Sequence, residues 1–269
     1  MEDEIAFLGA RELARRLRAG EFSSLELLEF YLGRIERLNG PLNAVVTLDP
    51  DGAREKARRA DARLERGESG ALLGLPVTIK DAYEVAGIRT TGGAPVLRDH
   101  VPERSATAIE RIERAGAIVF GKTNVPLFSG DVQTFNEIFG VTNNPWNVER
   151  TPGGSSGGAA ASVACGFTAF EIGSDIGGSI RTPANWNGIY GHKSSWGLVP
   201  ARGHIPGPPG ALAETDLGVF GPLARMADDL ELLLDIIAGP DEYVGAAWSL
   251  SLPPARRSKI VPALPLPAR

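Results

Sequence analysis

Residues 105–120 read SATAIERIERAGAIVF, and the patterning of this stretch changes from helical to strand-like at Gly116. Ser105 to Gly116 has the spacing of an amphipathic helix, and the apolar run AIVF follows at once. Upstream, the β-branched run LPVTIK ends at Lys80 and predicts a buried strand. A strand, a helix and a second strand in this order predict an α/β fold with a largely buried sheet.

The flanking segments continue this alternation. Helical spacing recurs in ARELARRLRAG, in LELLEFYLGRIERL behind a capping-box pattern at Ser23 and Glu26, in DGAREKARRADARLERG and in MADDLELLLDIIAG. A further strand, FTAFEIG, follows an alanine-rich helix that begins after GGSSGG. The proline-rich residues 248–269 have no periodicity and are interpreted as an extended tail.

Composition excludes several classes of protein. The 269 residues carry a net charge of −5, so no basic footprint indicates a nucleic-acid partner. The single cysteine, Cys165, excludes an internal disulfide and fits a reducing compartment. No apolar run is long enough to span a bilayer, and the acidic start lacks the basic region of a signal peptide. We therefore expect a cytoplasmic protein.

The run GAIVFGKT, residues 116–123, satisfies the pattern of a phosphate-binding P-loop. Such a loop needs glycine-rich or polar positions whose N–H groups are free to face an anion. Here the intervening positions are Ala, Ile, Val and Phe, and Pro126 interrupts any helix after Thr123. The end of a strand is the better interpretation.

The run GGSSG, residues 153–157, matches the G-x-S-x-G nucleophile elbow. Asp175 and then His192 or His204 follow Ser155 in the order that a Ser-His-Asp hydrolase requires. An elbow serine sits between a strand and a helix, however, and the preceding NPWNVERTP contains two prolines and is no strand. A triad of this kind around Ser155 stays open as the minor alternative.

A third signal is GSDIGGSIRTP, residues 173–183, directly after the strand FTAFEIG. A strand that ends in Ile-Gly-Gly-Ser can leave several consecutive N–H groups pointing one way, as an oxyanion hole or anion nest requires. One helix and one strand connect Ser155 to Ser179, which can bring both serine loops to the same sheet edge. Lys80, at the end of its strand, is either a surface charge or a base held at that edge.

At these residues the sequence resembles the amidase signature family, over about Leu8 to Gly239. The motifs that carry the resemblance, in the family's order, are GLPVTIKD, FGVTNNPWNVERTPGGSSGGAAASVA, GSDIGGSIRTPA and GPLARMADDLELLLDIIAG. The resemblance implies a mixed β-sheet core flanked by helices on both faces. It further implies one domain over 1–247, with an N-terminal helical segment over about 8–68 and a catalytic core over about 72–240.

The resemblance also implies a Ser–Ser–Lys triad that hydrolyses an amide through an acyl-enzyme. Matched motif by motif, its members are the base Lys80, the relay Ser155 in a cis peptide, and the nucleophile Ser179. The implied oxyanion hole consists of the backbone N–H groups of four consecutive residues, Ile176, Gly177, Gly178 and Ser179. Three further residues are expected to brace this machinery: Ser156, Asp175 and Arg181.

This mechanism needs a neutral lysine, although an unperturbed lysine has a pKa of about 10.4. Burial can lower the pKa by the roughly three units that a base near neutrality needs. We therefore expect Lys80 to be buried and hydrogen-bonded to Ser155, with the carboxylate of Asp81 turned elsewhere. His100, His192 and His204 are expected to have no catalytic role.

The chain departs from the family pattern in two places. Ser194 stands where the family usually has proline after GHK, and family members continue well past the end of this sequence. Two alternatives therefore stay open: a catalytically silent truncated homologue or binding subunit, and a subunit of an amidotransferase that works on aminoacyl-tRNA. The expected substrate is a small amide, ester or carbamate. No cofactor, metal, nucleic-acid partner or membrane is expected, and homo-oligomerisation stays open.

Overall fold

The computed structural model describes residues 3–206 and 215–253. The predicted tail therefore lies outside the described residues from position 254 onward. The α-helices are α1 (Ala10–Arg18), α2 (Ser24–Leu38), α3 (Pro50–Glu65), α4 (Thr107–Arg114), α5 (Gly157–Ala164), α6 (Arg181–Asn187) and α7 (Ala227–Ile237). The strands are β1 (Val45–Leu48), β2 (Pro76–Lys80), β3 (Ile118–Thr123), β4 (Phe135–Asn136), β5 (Gly140–Val141), β6 (Phe170–Asp175), β7 (Tyr190–Gly191) and β8 (Val219–Ala224).

The strands form a mixed arrangement. β2 runs parallel to β3, β1 pairs antiparallel on the other side of β3, and α4 is the helix of the β2–α4–β3 crossover. β8 lies between β6 and β7 and is antiparallel to both. β4 and β5 form a separate two-stranded hairpin. The predicted α/β class with a mixed sheet is confirmed.

The two three-stranded groups meet where β2 lies beside β6. There, two polar groups of β2 donate hydrogen bonds to side chains in and next to β6. The Thr78 amide donates to Thr168 Oγ1 (3.2 Å), and the Thr78 hydroxyl donates to Glu171 Oε1 (2.6 Å). This seam places Lys80, at the end of β2, beside Ser174 and Asp175 at the end of β6.

Helix α5, GGAAASVA, is buried because its small side chains allow the backbone to approach the strands closely. It contacts β2, β3, β6 and β8. A Cβ at Gly158 would overlap the backbone of Asn124, so glycine is required at that point of approach. The linker-like composition of GGSSGGAAA therefore serves close packing at the centre of the fold.

The sequence predicted most of these elements. The capping box at Ser23 and Glu26 is present at the start of α2. The run GAIVFGKT is a strand through Thr123, and the Lys122 side chain is buried, as the strand interpretation requires. β6 differs from the predicted strand FTAFEIG at both ends. It begins at Phe170 instead of Phe167, and it extends to Asp175 instead of ending at Gly173, because β8 pairs with it over its whole length. The sequence reasoning did not predict strands β1, β4, β5, β7 and β8 or helix α6.

The first and last helices of the described domain are joined by one carboxylate. Helix α1 begins after Gly9, which offers no side-chain cap. Asp229 of α7 accepts hydrogen bonds from the backbone N–H groups of Ala10 (2.8 Å) and Arg11 (3.0 Å) instead. A carboxylate at this position satisfies two free donors and interacts favourably with the helix dipole.

We expect Asp229→Asn to lower the free energy of unfolding by about 1–2 kcal/mol, because the cap loses its charge and one of its two acceptors. Urea unfolding followed by circular dichroism measures the loss. The matched control is Asp228→Asn, whose side chain is exposed in the same helical turn. Equal stability of the two variants would contradict the capping role.

Candidate active site

The side chain of Lys80 is fully buried at the end of β2. Its Nζ lies within hydrogen-bond distance of three serine hydroxyls: Ser155 Oγ (2.7 Å), Ser174 Oγ (2.9 Å) and Ser156 Oγ (3.0 Å). The expected burial of Lys80 and its contact with Ser155 are both present.

Burial lowers the pKa of Lys80 to about 7, although the nearby carboxylates of Asp175 and Glu171 act in the opposite direction. A neutral amine has two N–H groups and one lone pair. One of the three hydroxyls must then donate to Nζ while the other two accept from it. Ser155, at the shortest distance, is suited to be the donor.

The two serine loops are tied together by main-chain contacts. The Gly154–Ser155 peptide bond is cis, as the resemblance implies. The Ser156 amide donates to the Ser179 carbonyl (3.2 Å), which fixes one loop against the other. Ser155 and Ser179 both line the same cavity. The structure therefore places Lys80 and Ser155 in direct contact, with Ser179 lining the same cavity as Ser155.

Asp175 organises the turn that carries Ser179. Its buried carboxylate accepts hydrogen bonds from the backbone amides of Gly178 (2.9 Å), Ile180 (3.0 Å) and Arg181 (3.3 Å). The Arg181 guanidinium adds two more, at 3.1 and 2.9 Å. Burial alone would raise the pKa of Asp175, but the donors from Arg181 and the backbone hold it at about 2. The carboxylate is thus ionised and fixes the shape of the turn.

The four amides expected to form an oxyanion hole are not equivalent. The Gly178 N–H already donates to Asp175. Among the residues that the structure describes, the amides of Ile176, Gly177 and Ser179 have no hydrogen-bonded partner. These three amides are the ones available to an oxyanion, whereas Gly178 supports the turn.

Asp81 faces away from the serines. Its carboxylate accepts from the Thr91 amide (3.1 and 3.2 Å) and hydroxyl (2.5 Å) and lies 3.7 Å from the Nζ of Lys122. Lys122 is fully buried and also donates to the Tyr83 carbonyl and to Thr90 Oγ1. The adjacent carboxylate is therefore paired with a second lysine and not with Lys80.

The histidines lie outside the hydrogen-bonded serine cluster. His204 packs between the rings of Tyr83 (centroids 4.8 Å apart) and Phe220 (4.9 Å), and burial holds its pKa well below the usual value. His192 is half-buried, and burial lowers its pKa too. His100 pairs with Glu84 (3.0 Å). Within residues 3–206 and 215–253, no hydrogen bond joins a histidine ring to a serine of the cluster.

The cavity at the serines has a volume of about 50 Å³ within the described part of the chain. Sites for drug-sized ligands are several times larger, at about 300–1,000 Å³. Besides Ser155 and Ser179, its walls comprise Phe128, Ser129, Ser174, Asp175, Ile176, His204, Pro206, Thr215, Gly218 and Phe220. The cavity therefore has room for only a few atoms within the described residues.

Sequence reasoning missed one polar residue of this region, Ser174, and noted another, Ser194, only as a departure from the family pattern. Ser174 contacts Lys80 Nζ, and its place in GSDIGGS, beside Asp175, was the available signal. Ser194, where the family usually has proline, is buried and its hydroxyl donates to the Phe220 carbonyl of β8 (2.8 Å). Only the pairing of β8 places that carbonyl within reach.

We expect Asp175→Asn to lower the free energy of unfolding by about 2 kcal/mol at neutral pH, because buried amides lose a charged acceptor. The folded pKa of about 2 lies below the ordinary 3.8. The stabilisation is therefore complete above 3.8 and is lost as the pH falls through 2. Urea unfolding at a series of pH values should show the two proteins converging in acid.

Arg181→Gln provides the comparison for this measurement. The Arg181 side chain is 54% exposed, so solvent screens its charge, and the backbone donors to Asp175 remain in this variant. We expect a smaller loss of stability than for Asp175→Asn. A larger loss would show that the ion pair, and not the amide cluster, fixes the turn.

No helix in the described ranges is both long enough and apolar enough to cross a bilayer.

Comparison with known proteins finds relatives that share one name. The A subunit of the glutamyl-tRNA(Gln) amidotransferase from Carboxydothermus hydrogenoformans is 42% identical over 251 residues, which cover 93% of this chain and 50% of that protein. The corresponding protein from Roseiflexus castenholzii is 43% identical over 234 residues, covering 87% and 46%. The chain thus spans about half the length of these relatives.

Solved structures agree with this result. A bacterial aryl acylamidase of the amidase signature enzymes superposes with a TM-score of 0.84 and 33% identity, covering 93% of this chain and 51% of that one. A peptide amidase from Stenotrophomonas maltophilia superposes with a TM-score of 0.81 and 34% identity, covering 88% and 49%. The family model described as Amidase matches residues 26–255. This chain belongs to the amidase signature family.

Proposed function

We propose that this chain is a serine hydrolase that cleaves a carbon–nitrogen amide bond with Ser179 as nucleophile, Ser155 as relay and Lys80 as base. The observation that carries the proposal is the buried Lys80 amine, 2.7 Å from Ser155 Oγ and with a pKa lowered by burial to about 7. A lysine in this state is a base at neutral pH. A merely structural lysine at a strand end would be charged and solvated.

In the proposed reaction, the Ser179 hydroxyl attacks the carbonyl carbon of the substrate. Its proton passes to Ser155 Oγ, and the proton of Ser155 passes to Lys80 Nζ. The same path returns a proton to the leaving nitrogen as the C–N bond breaks and the amine departs. Water then attacks the acyl-enzyme, which releases the acid and restores Ser179.

The free amides of Ile176, Gly177 and Ser179 would stabilise the oxyanion that develops on the carbonyl oxygen. One such donor is typically worth about 10²–10³-fold in rate. Asp175 and Arg181 hold these amides in place by bracing the turn, and the hydroxyls of two further serines, Ser156 and Ser174, hold Nζ by accepting its two hydrogens. The substrate class is a small amide, with esters and carbamates as related acyl donors.

We expect a fluorophosphonate to add once to the wild-type chain and not at all to Ser179→Ala, as read by intact mass. Lys80→Met should lower the labelling rate by at least about 10²-fold, since the path for the proton is lost. A folded wild-type chain that takes no adduct would contradict the proposal. The catalytically silent homologue would then be the better account.

His192→Ala and His204→Ala separate this mechanism from a Ser-His-Asp hydrolase. We expect both variants to keep Ser179 labelling within about tenfold of wild type, because neither ring is hydrogen-bonded to a serine of the cluster. Loss of labelling in a folded histidine variant would indicate a histidine base. Circular dichroism of each variant provides the folding control.

The labelling rate should rise as the pH increases through about 7, because Nζ must be neutral to accept the proton and Lys80 is charged below its pKa. A series of labelling rates on both sides of neutrality measures this dependence. Lys80→Arg, which stays charged throughout, should abolish the rise. A wild-type rate independent of pH would exclude Lys80 as the base.

The curated relatives favour a second candidate, a component of an amidotransferase that works on aminoacyl-tRNA. The net charge of −5 gives this chain no basic footprint for RNA. We therefore favour the small-molecule amidase. Filter binding with total tRNA distinguishes the two candidates, because retention of tRNA by the chain at moderate salt would favour the amidotransferase component.

A further inference from the structure

Four ionisable side chains, one of them the proposed base, are buried in the same region of the fold. Lys80 on β2, Lys122 on β3 and Glu171 on β6 are fully buried, and Asp81 is 1% exposed. The proposed mechanism uses only Lys80. Glu171 lies at the seam between β2 and β6, where it accepts the Thr78 hydroxyl at 2.6 Å.

The charges of this cluster can be balanced in two ways. Lys122 and Asp81 form an ion pair at 3.7 Å, which leaves Lys80 and Glu171. Both of these are charged, or both are neutral, if the buried region is to carry no net charge. An unbalanced charge at such depth is strongly unfavourable, so the protonation of the two groups is coupled.

Glu171 accepts too few hydrogen bonds to balance a buried negative charge. Oε1 accepts from Thr78, but Oε2 is buried and has no hydrogen-bonded partner within the described ranges. An ionised carboxylate normally accepts several hydrogen bonds, and an unpartnered anionic oxygen in the interior is costly. Protonation removes the negative charge of Glu171, so that no anionic oxygen is left without a hydrogen-bond donor.

We propose that Glu171 is a positioning residue that is protonated when Lys80 is neutral and thereby keeps the buried region uncharged while Lys80 acts as a base. The inference rests on the proposed function, because it explains how the lysine base is maintained. An ionised Glu171 would instead stabilise the ammonium form of Lys80 and remove the base. Glu171 itself touches neither the serines nor the substrate.

The pKa values agree with this coupling. Burial raises the pKa of Glu171 to about 7, against the lowering effect of nearby hydroxyl and amide groups and of Lys122. Charged Glu171 in turn raises the pKa of Lys80. The ionisable groups that face Lys80 or Glu171 from the surrounding elements are Tyr83, Lys122, Asp175 and His204, whereas Asp81 acts on Lys122.

The test is the pH dependence of fluorophosphonate labelling in Glu171→Gln, which keeps the shape and the acceptor for Thr78 but cannot ionise. A Glu171 that is already protonated adds no charge to hold the Lys80 proton, so its replacement by a neutral amide leaves that proton equally bound. We therefore expect the midpoint of the labelling profile to stay within about 0.3 pH unit of wild type. An ionised Glu171 would raise the pKa of Lys80, and its removal would then move the midpoint to lower pH by about one unit.

Glu84→Gln is the matched control. Glu84 is a nearly buried carboxylate whose charge acts on Lys122, and it pairs with His100 rather than with the Lys80 cluster. We expect its labelling midpoint to equal that of wild type. A Glu171→Gln midpoint about one unit below the wild-type and Glu84→Gln values would overturn the proposal.

Infrared spectroscopy tests the same proposal without any reaction. The wild-type protein near neutral pH should show the carbonyl stretch of a protonated buried carboxyl group, and Glu171→Gln should lack it. Thr78→Val provides the second variant should Glu171→Gln fail to fold, because loss of the hydrogen bond to Oε1 shifts that band. Absence of the band from the wild type overturns the proposal. Absence of labelling at every pH would instead contradict only the proposed hydrolase.

Discussion

The site depends on one constraint, the burial of the Lys80 amine among three serine hydroxyls. Burial disfavours the charged form of the amine and brings the neutral form within reach of neutral pH. The hydroxyls of Ser155, Ser156 and Ser174 take up the hydrogen-bonding capacity of Nζ without supplying a charge. A carboxylate in any of these positions would pair with the lysine and hold it as an ammonium ion.

The fold protects this constraint by giving each nearby aspartate another partner. Asp81 follows Lys80 directly, but its side chain is engaged by Thr91 and Lys122. Asp175 lies close on β6, where the backbone amides of the following turn and Arg181 occupy its oxygens. The carboxylates of both aspartates are thus paired with other cations and with backbone amides, and neither is paired with the Lys80 amine. The same donors shape the turn that carries Ser179.

All of these groups belong to elements between β2 and α6, and the seam between β2 and β6 brings them together. The chain spans about half the length of its curated relatives, yet this part contains the three serine contacts of Lys80. The adjoining cavity is small by comparison with ligand sites, and its walls include aromatic rings at Phe128, His204 and Phe220. The buried lysine with its serine contacts therefore does not depend on a large adjoining cavity within the described residues.

The sequence by itself determined the helices with clear spacing, the strands β2 and β3, and the residues of the serine–lysine motifs. These signals are local, because a side-chain period or a capping pair depends only on neighbouring residues. The residues themselves indicated that the loops of Ser155 and Ser179 could reach the same edge and left Lys80 as either a surface charge or a base. The family resemblance supplied their proposed roles, which remain to be measured.

Tertiary structure alone decided the rest. The extension of β6 to Asp175 follows from pairing with β8, a strand whose sequence, VFGPLA, contains glycine and proline and has no clear strand pattern. The contact of Ser174 with Lys80, the commitment of the Gly178 amide to Asp175, and the cap that Asp229 places on α1 each join distant residues or depend on a turn geometry that composition does not specify. Burial and pKa depend on what surrounds a group from every side, and the chain acquires those surroundings only when it folds.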